Sequence, residues 1–444
     1  MFGTGDALSG AIALQFPENS GGWNHRTSTR LSRASGRGFV GFPRAAPQPV
    51  TVVSVESTAV GSVHKVSIAC GSIGPLGEMV HAQRLAEHIP RPGFEVSLVA
   101  LAGGDADLPR PGTAPVQIVP VSADSTQHER AEALAAAIER TEPSVVIAED
   151  VVSGLAALRL RSRHPDAALV RTIHHLDAEH ELESQEAQRL SLESADACVC
   201  VSGYWSARVR EELGVEAVVV PNGVDHARFA APGLDRDAAR ARLGWDDRPV
   251  VLSVGGVGAR KGSLALIEAF GRARVRIGDD ALLAIVGGPS PKPRYLERFL
   301  DEADRLGIGV ARGRAEPGRA LALLETQASD AMPELYRAAD AFALPSTREG
   351  FGLAALEAAA GGLPVVLSDL AVFRERFEHD RDCLMVPVGD SGPLADALVR
   401  VMRDPALAER LGRSAQVTAS GLTWEAAAEA YAKLIGELPG SLTS

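Results

Sequence analysis

The sequence lacks the features of a membrane-spanning or nucleic-acid-binding protein. It contains no uninterrupted apolar run of about 18 residues, the length that a bilayer-spanning helix needs, so we expect no transmembrane segment. It also lacks a basic excess, because the formal net charge is −12 at pH 7. This composition cannot supply a domain-wide basic face, which argues against nucleic acid as a partner and leaves room for a local basic pocket.

Lysine and cysteine are both scarce. Four of the 45 Lys and Arg residues are Lys, which together with the many alanines indicates a GC-rich, bacterial genome rather than a function. The four cysteines are Cys70, Cys198, Cys200 and Cys383. They form no C-x-x-C pair and no Cys/His spacing typical of zinc. We expect reduced core residues in a cytoplasmic protein, with Cys198 and Cys200 on one face of a strand.

The length of 444 residues is too great for one ordinary core, and two domains fit it better. Residues 1–63 stand apart, because they are rich in Gly, Ser, Arg and Pro and carry no sustained periodicity. They also lack the order of regions typical of a signal peptide. We predict a disordered N-terminal extension, or one that results from a start codon assigned too far upstream.

From Lys65 onward, short apolar runs alternate with helical patterns, which predicts parallel α/β sheets. The segment Pro221–Phe229 has turn residues and no periodicity, so it is interpreted as a linker between domains at 64–220 and 221–423. The predicted strands are Val66–Cys70, Glu95–Ala100, Val116–Pro120, Ser144–Ala148, Ala168–Thr172, Ala197–Val201, Ala217–Val220, Val250–Val254, Ala281–Val286, Asp340–Leu344, Pro364–Leu367 and Leu384–Val386.

The segment Leu344–Pro364 carries two carboxylates eight positions apart, Glu349 and Glu357. Glu349 is predicted in a loop that opens a helix, and Glu357 is the only charge inside that helix. A buried carboxylate is costly unless a group donates hydrogen bonds to it, and a ribose diol offers two donors. The backbone N–H groups of residues 350–353 lie at the positive end of the helix dipole, which suits a phosphate or sugar oxygen.

A second segment places a basic pair after a glycine-rich turn. A strand is predicted to end at Val254 and a helix to begin near Gly262, with Arg260 and Lys261 at the helix start. Two cations at a helix N-terminus are unfavourable because the positive end of the helix dipole lies there. We therefore interpret them as binding an anionic ligand, most simply a diphosphate. The glycines that let the backbone approach a ligand are Gly255, Gly256 and Gly258.

The same glycines imitate a dinucleotide-binding fingerprint. A dehydrogenase of that type needs an acidic residue after the next strand. Here that strand ends at Val286 and is followed by Gly287 and Gly288, so the acidic residue is missing. A P-loop is excluded because the segment lacks the GK[ST] ending.

Two histidines, His174 and His175, follow the predicted strand that ends near Ile173, at a carboxyl edge. Ordinary loop histidines are one interpretation. A zinc interpretation adds Asp177 and His180, but these spacings match no familiar site.

These motifs resemble those of the family-4 retaining glycosyltransferases, which have the GT-B fold. The first segment resembles their E-x7-E signature, and Gly255–Gly262 resembles their G-x-x-x-x-[RK]-K-G stretch. The resemblance covers roughly Val66–Leu438. It implies two Rossmann-like domains facing across a cleft, a last helix over 424–444 that crosses back to the first domain, and hexosyl transfer from a nucleotide-diphosphate sugar. The nucleotide-sugar is a co-substrate, and no cofactor or metal is expected.

The resemblance also implies roles for individual residues. Arg260 and Lys261 bind the donor diphosphate, Glu349 contacts the donor sugar, Glu357 holds the ribose, and His174 lies by the reacting sugar. The catalytic set is His174, Glu349, Arg260 and Lys261. The other donor-binding positions are Gly255, Gly256, Gly287, Thr326, Gly350, Phe351, Gly352 and Leu353. The acceptor side holds His175, Gly77 and Glu78, and Glu78 stands where related enzymes usually have a second glycine.

Three other functions are considered. One is a nucleotide-sugar 2-epimerase of the same fold, which would need no acceptor. An NAD-dependent oxidoreductase is disfavoured by the missing acid after Val286, and the intact Arg260, Lys261, Glu349 and Glu357 argue against a nucleotide-sugar-binding protein without catalysis.

The D-x-D triplets that begin at Asp105, Asp235 and Asp380 lie away from the diphosphate motifs and indicate polar loops or helix starts rather than a metal site. No residue selects the base, the sugar or the acceptor.

Overall fold

The computed structural model describes residues 63–74, 77–90, 92–103, 116–176, 182–230, 235–288 and 292–438. Apart from Val63, the predicted N-terminal extension lies outside the described residues. The four cysteines are buried and unpaired, and Cys198 and Cys200 lie on the same strand.

The first half of the described chain is a seven-stranded parallel sheet in the order β3-β2-β1-β4-β5-β6-β7. Consecutive strands run outward from β1 in two directions, so the carboxyl ends of β1 and β4 flank a crevice where open α/β sheets bind ligands. The elements are β1 (His64–Cys70), α1 (Gly77–His88), β2 (Phe94–Gly103), β3 (Val116–Val121), α2 (Gln127–Glu139), β4 (Val145–Ala148), α3 (Val151–Arg163), β5 (Ala168–Ile173), α4 (Leu182–Glu193), β6 (Ala197–Cys200), α5 (Gly203–Leu213) and β7 (Val218–Val219).

The second half repeats this plan, with the order β10-β11-β9-β8-β12-β13-β14 and every strand parallel. Its elements are α6 (His226–Phe229), α7 (Arg236–Leu243), β8 (Val250–Val254), α8 (Ser263–Ile277), β9 (Leu282–Val286), α9 (Pro293–Arg305), β10 (Val310–Arg312), β11 (Leu321–Leu324), the 3₁₀ turn Ser329–Ala331, α10 (Met332–Ala338), β12 (Ala341–Leu344), α11 (Leu353–Ala360), β13 (Val365–Ser368), α12 (Ala371–Arg374), β14 (Leu384–Val386), α13 (Ser391–Arg403), α14 (Pro405–Ser420) and α15 (Trp424–Glu437).

The parallel α/β prediction is confirmed, although two strands were missed and several strand ends are shifted, mostly by one residue. Strands β10 and β11 were not predicted, because one has three residues and the other is built from Leu and Ala, whose strand state comes from pairing with β9. Asp340 was predicted inside a strand but lies just before β12. Its Oδ2 accepts a hydrogen bond from the Val250 N–H at 2.7 Å and from the Arg240 guanidinium at 2.6 Å, so it anchors the start of β8.

The linker lies against the segment that leads into the last helix. The Val224 N–H donates to the Leu422 carbonyl at 2.9 Å. Helix α15 then packs on α1, and its buried Trp424 and Tyr431 join the core beneath β1 and β4. The Tyr431 hydroxyl lies 2.9 Å from Thr172 Oγ1 on β5. The end of the chain therefore completes the core of the first sheet.

None of the described helices combines the length and the apolar character that crossing a bilayer requires.

We expect the substitution Tyr431→Ala to lower the free energy of unfolding by about 3–5 kcal/mol, because it opens a cavity in the first core and removes the bond to Thr172. Lys433→Ala changes an exposed position of the same helix and serves as the matched control. Urea unfolding followed by circular dichroism measures both. Equal midpoints for the two variants would mean that α15 does not contribute to the first core.

Candidate functional site

An ion pair joins the two segments that the sequence singled out. Lys261, in the loop between β8 and α8, places Nζ 2.7 Å from Glu349 Oε1. Ser346 donates its hydroxyl to the same oxygen at 2.7 Å, and Arg260 Nη1 lies 3.9 Å from Glu349 Oε2. Glu349 is 5% exposed. Burial alone would raise the pKa of its carboxyl, but the two cations and the hydrogen bonds outweigh burial and lower that pKa. Glu349 is therefore a buried, ionised carboxylate.

Two glycines of the β8–α8 loop, Gly255 and Gly256, pack closely against other parts of the protein. A Cβ at Gly256 would lie 2.2 Å from the Gly288 carbonyl oxygen, so only glycine fits where these two strand ends pack together. A Cβ at Gly255 would lie 2.6 Å from Lys261 Cε. The missing side chain there leaves the path along which Lys261 reaches Glu349.

The N-terminus of α11 faces the same place. Its N-cap is Gly352, and no side chain caps the helix. The preceding Phe351 is buried and is held by Arg376, whose guanidinium carbon lies 3.8 Å from the centre of the aromatic ring. Desolvation lowers the pKa of Arg376 to about 10. The partial positive charge at the N-terminus of α11 is therefore not offset by a capping side chain.

This loop is fixed against the first sheet. The Trp205 indole N–H donates to the Glu349 carbonyl at 3.0 Å, in a buried position. A Cβ at Gly350 would lie 2.4 Å from the carbonyl oxygen of His174, so only glycine permits this approach. The Glu375 carboxylate accepts the Gly203 N–H at 3.1 Å at the start of α5. These contacts close the two sheets around Glu349 and His174.

His174 takes part in a buried chain of polar groups. Its Nε2 lies 2.8 Å from Glu149 Oε2, and the same oxygen lies 2.9 Å from His81 Nδ1 on α1. Glu149 follows β4 and is 1% exposed. Burial would raise its carboxyl pKa, but the two histidines outweigh burial and lower the pKa to about 2. Glu149 therefore fixes the orientation of the His174 ring.

A cavity of about 280 Å³ lies in front of this chain, at the carboxyl ends of β1, β4 and β5. Both His174 and His175 line it. Strand β5 ends at Ile173, so the alternation of side chains between the two faces of a strand does not separate these two residues. The other lining residues are Gly71, Ser72, Glu78, Met79, Gln127, Glu149, Asp150, Val151, Val152, Arg171, Thr172, Ile173, Ser184 and Gln188.

Glu357 has a partner within the protein. It is half-buried, and its Oε2 accepts a hydrogen bond from the Tyr336 hydroxyl at 2.8 Å. It also lines a narrow pocket with Arg84, Asp225 and Trp424. The expectation of a carboxylate that depends on a ligand for its hydrogen bonds is therefore too strong, because a buried tyrosine supplies one.

The remaining predicted residues lie at the strand and helix ends. Gly77 and Glu78 begin α1, and Glu78 lines the cavity. Gly287 and Thr326 follow β9 and β11, whose carboxyl ends are neighbours in the second sheet. Leu353 begins α11.

Among the described residues, one group of side chains has the composition and spacing to hold a metal ion. One donor atom each of His81, Glu149 and His174 lies within 4.8 Å of the others. Asp177 and His180 of the zinc interpretation, and Asp105 of the first D-x-D triplet, lie outside the described residues. Asp235 caps α7, and Asp380 Oδ1 lies 3.1 Å from Arg400.

Sequence reasoning missed Glu149 and His81. An acid directly after an apolar strand run was the available signal for Glu149. His81 carried none, because a histidine on the buried face of a helix reads as part of an ordinary core. Arg376 and Glu375 were missed as well, since both act on segments far away in the sequence.

Replacing Gly350 with Ala should separate the two sheets, because the new methyl group would collide with the His174 carbonyl. We expect a larger radius of gyration in small-angle X-ray scattering and a changed tryptophan emission as Trp205 loses its buried partner. Gly436→Ala is the control, since nothing lies near the position of its Cβ. An unchanged radius for Gly350→Ala would contradict the closed arrangement.

Two family models match the chain in succession. The model described as Glycosyltransferase Family 4 matches residues 77–228 of the first half, and the model described as Glycosyl transferases group 1 matches residues 235–418 of the second.

Similar curated proteins are named D-inositol 3-phosphate glycosyltransferase. The protein of Corynebacterium jeikeium is 35% identical over 226 residues, or 50% of this chain and 52% of the relative. The chain spans 58% of the Nocardia farcinica relative, at 30% identity over 275 residues. The protein of Rhodococcus opacus is 29% identical over 409 residues, or 84% of this chain and 88% of the relative.

Similar solved structures share the whole fold. Sucrose-phosphate synthase from Thermosynechococcus elongatus has a TM-score of 0.71 at 22% identity, over 84% of this chain and 98% of that one. Anabaena HepE in complex with UDP-glucose has a TM-score of 0.70 at 20% identity, over 84% and 100%. The predicted GT-B fold is confirmed. With both family models matched in order along one GT-B fold, the chain belongs to the group 1, family 4 glycosyltransferases.

Proposed function

We propose that the protein transfers a sugar from a nucleotide-diphosphate sugar to an acceptor, with retention at the anomeric carbon. The observation that carries this proposal is the ionised Glu349, held by Lys261 and Ser346 in the loop that rests on His174. A buried anion beside two cations and an uncapped helix N-terminus can bind a ligand that is anionic at one end and rich in hydroxyls at the other.

The anionic end of the donor is assigned to the cations. The Lys261 ammonium has three donors, and Glu349 uses one of them. The side chain of Arg260 is 42% exposed and lies beside the same carboxylate. As the bond between the anomeric carbon and the diphosphate oxygen breaks, negative charge builds on the leaving group. Lys261, Arg260 and the first N–H groups of α11 stabilise that charge.

The sugar end is assigned to Glu349 and His174. Glu349 Oε2 lies 3.9 Å from Arg260 Nη1, which is beyond hydrogen-bond distance. We propose that a hydroxyl group of the donor sugar donates a hydrogen bond to this oxygen. The acceptor oxygen attacks on the face from which the diphosphate leaves, and its proton passes to a departing phosphate oxygen. The remaining donor contacts are proposed for Gly255, Gly256, Gly287, Thr326, Gly350, Phe351, Gly352, Leu353 and Glu357.

The cavity beside His174 favours transfer over the epimerase alternative. An epimerase needs no second substrate, whereas this chain has a half-open cavity of about 280 Å³ beside His174, with room for one. We assign the acceptor to that cavity, with Gly77 and Glu78 at its edge and His175 on its wall.

Other features of the proposal concern the donor and the compartment. HepE binds UDP-glucose, which makes a UDP-sugar the first donor to test. We propose that no metal is required, because Lys261 and Arg260 can supply the positive charge. Four buried, unpaired cysteines support a cytoplasmic location.

The proposal is tested by a thermal-shift screen of UDP-, GDP-, ADP- and dTDP-sugars. A donor present at about 100 times its dissociation constant should add about 2.7 kcal/mol to the free energy of unfolding. Lys261→Ala should abolish most of this shift and reduce turnover about 100-fold, as for the loss of one donor to a developing anion. Arg413→Ala, an exposed position on α14, is the matched control. If no nucleotide-sugar stabilises the protein, or if Lys261→Ala behaves like the control, the proposal fails.

The two neighbouring histidines should differ in effect. His174→Ala removes the ring that Glu149 orients, and we expect turnover to fall by about 10²–10⁴-fold at saturating donor, with donor affinity nearly unchanged. His175→Ala should remain within a few-fold of the unmodified protein. Initial rates of nucleoside diphosphate release compare the two. An inactive His175→Ala beside an active His174→Ala would reverse the assignment.

A further inference from the structure

We infer that Arg376 is a positioning residue for the transfer reaction, because it fixes the peptide group between Phe351 and Gly352 in the loop that receives the leaving diphosphate. This inference rests on the proposed function, since it adds a residue to the donor site of that reaction. It is carried by the contacts of one buried guanidinium and by the geometry of a trans peptide bond.

Arg376 follows the C-cap of helix α12 and contacts Phe351 in two ways. Its Nη2 donates a hydrogen bond to the Phe351 carbonyl at 2.5 Å, and its guanidinium carbon lies 3.8 Å from the centre of the Phe351 ring. The side chain of Arg376 is 8% exposed. Desolvation lowers its pKa to about 10, so the guanidinium is charged at neutral pH. Phe351 therefore receives a charge-assisted hydrogen bond and a cation–π contact from the same group.

The carbonyl that Arg376 binds belongs to the same peptide group as the N–H of Gly352. In a trans peptide the carbonyl and the N–H point in opposite directions, so the Gly352 N–H points away from Arg376. Rotation of this peptide plane would leave a buried, charged donor without its acceptor, which is costly. Arg376 thus determines the direction of the N–H at the N-cap of α11.

A second carbonyl of the same loop is fixed from the first sheet. The Trp205 indole N–H donates to the Glu349 carbonyl, so the Gly350 N–H points away from Trp205. In the described part of the chain, neither the Gly350 N–H nor the Gly352 N–H donates to an acceptor. Both N–H groups are therefore oriented by side chains outside the loop before a ligand arrives, as stabilisation of a developing negative charge requires.

Glu375, the neighbour of Arg376, joins these two supports. Its carboxylate accepts the N–H groups of Gly203 and Tyr204 at 3.1 and 2.5 Å, in the turn of α5 that carries Trp205. The same carboxylate lies 3.8 Å from Arg376 Nη1, beyond hydrogen-bond distance. Glu375 thus anchors the backbone beside Arg376 to α5, and the hydrogen-bond acceptor of the guanidinium is Phe351 rather than Glu375.

The test compares Arg376→Met with Arg374→Met. Arg374 is exposed on α12 and pairs with Asp369, so its loss removes an equal charge outside the site. Turnover is measured with the nucleotide-sugar that gives the largest shift in the thermal screen. We expect Arg376→Met to lower turnover about 10–100-fold, the size that a small misplacement of positioned groups produces. Arg374→Met should remain within about twofold of the unmodified protein.

A second readout follows the Gly352 amide directly by NMR. Labelling with carbonyl-¹³C phenylalanine and ¹⁵N glycine restricts the spectrum to the three Phe–Gly pairs of the chain, and Phe351→Leu identifies the signal of Gly352 by its loss. UDP, GDP, ADP and dTDP are the probes. The nucleoside diphosphate that binds should shift this signal in the unmodified protein and in Arg374→Met, and the shift should be largely lost in Arg376→Met. A residue that only stabilises the fold would leave the shift intact.

Equal turnover of the two variants, or an unchanged Gly352 shift in Arg376→Met, would overturn the inference. If circular dichroism shows that Arg376→Met does not fold, Arg376→Lys takes its place. That variant keeps the buried charge and loses the planar group that stacks on Phe351, so the same losses should appear on a smaller scale. Failure of the proposed function has a different signature, namely that no nucleoside diphosphate binds to the unmodified protein, and the inference falls with it.

Discussion

The contact between the Glu349–Gly350 loop and the first sheet is the constraint on which the site depends. The carbonyl of Glu349 receives the Trp205 indole, and Gly350 lies against the His174 carbonyl, while the Glu349 carboxylate is held by Lys261 from the other side. One short loop therefore connects the cation-bearing turn of the second sheet to the histidine of the first. A buried carboxylate could not be kept ionised at this junction without Lys261 and Ser346.

The sheet topology explains why the chemistry collects there. In both sheets the strand order reverses beside the first strand, so β1 and β4, and likewise β8 and β12, open a crevice at their carboxyl ends. Glu149 leaves β4, His174 leaves β5, and Lys261 follows β8. The two crevices differ in how a helix end is capped: Asp150 caps the N-terminus of α3 in the first sheet, whereas no side chain caps the N-terminus of α11 in the second.

Much of the fold could be predicted from the sequence, because buried parallel strands are continuous apolar runs between helical patterns. Strands β10 and β11 escaped, since their conformation is set by neighbours in the sheet rather than by local preference. In the site, Lys261 and Glu349 were both selected, yet their contact was not, because they are 88 positions apart. His81 and Glu149 are 68 positions apart, and their pairing likewise appears only when α1 and β4 are packed together. The partner of Glu357 was missed because Tyr336 belongs to a different helix.

The paired crossings between the sheets have a mechanical consequence. Val224 is hydrogen-bonded to Leu422, and a Cβ at Gly223 would overlap the backbone N of Trp424, so the two connecting segments are in direct backbone contact. Separating the two sheets would withdraw the Glu349 carbonyl from the Trp205 indole and admit water to the ion pair beside it, where a higher dielectric weakens the attraction. The strength of the Lys261–Glu349 attraction therefore depends on the contact between the sheets, although both charges belong to the second one.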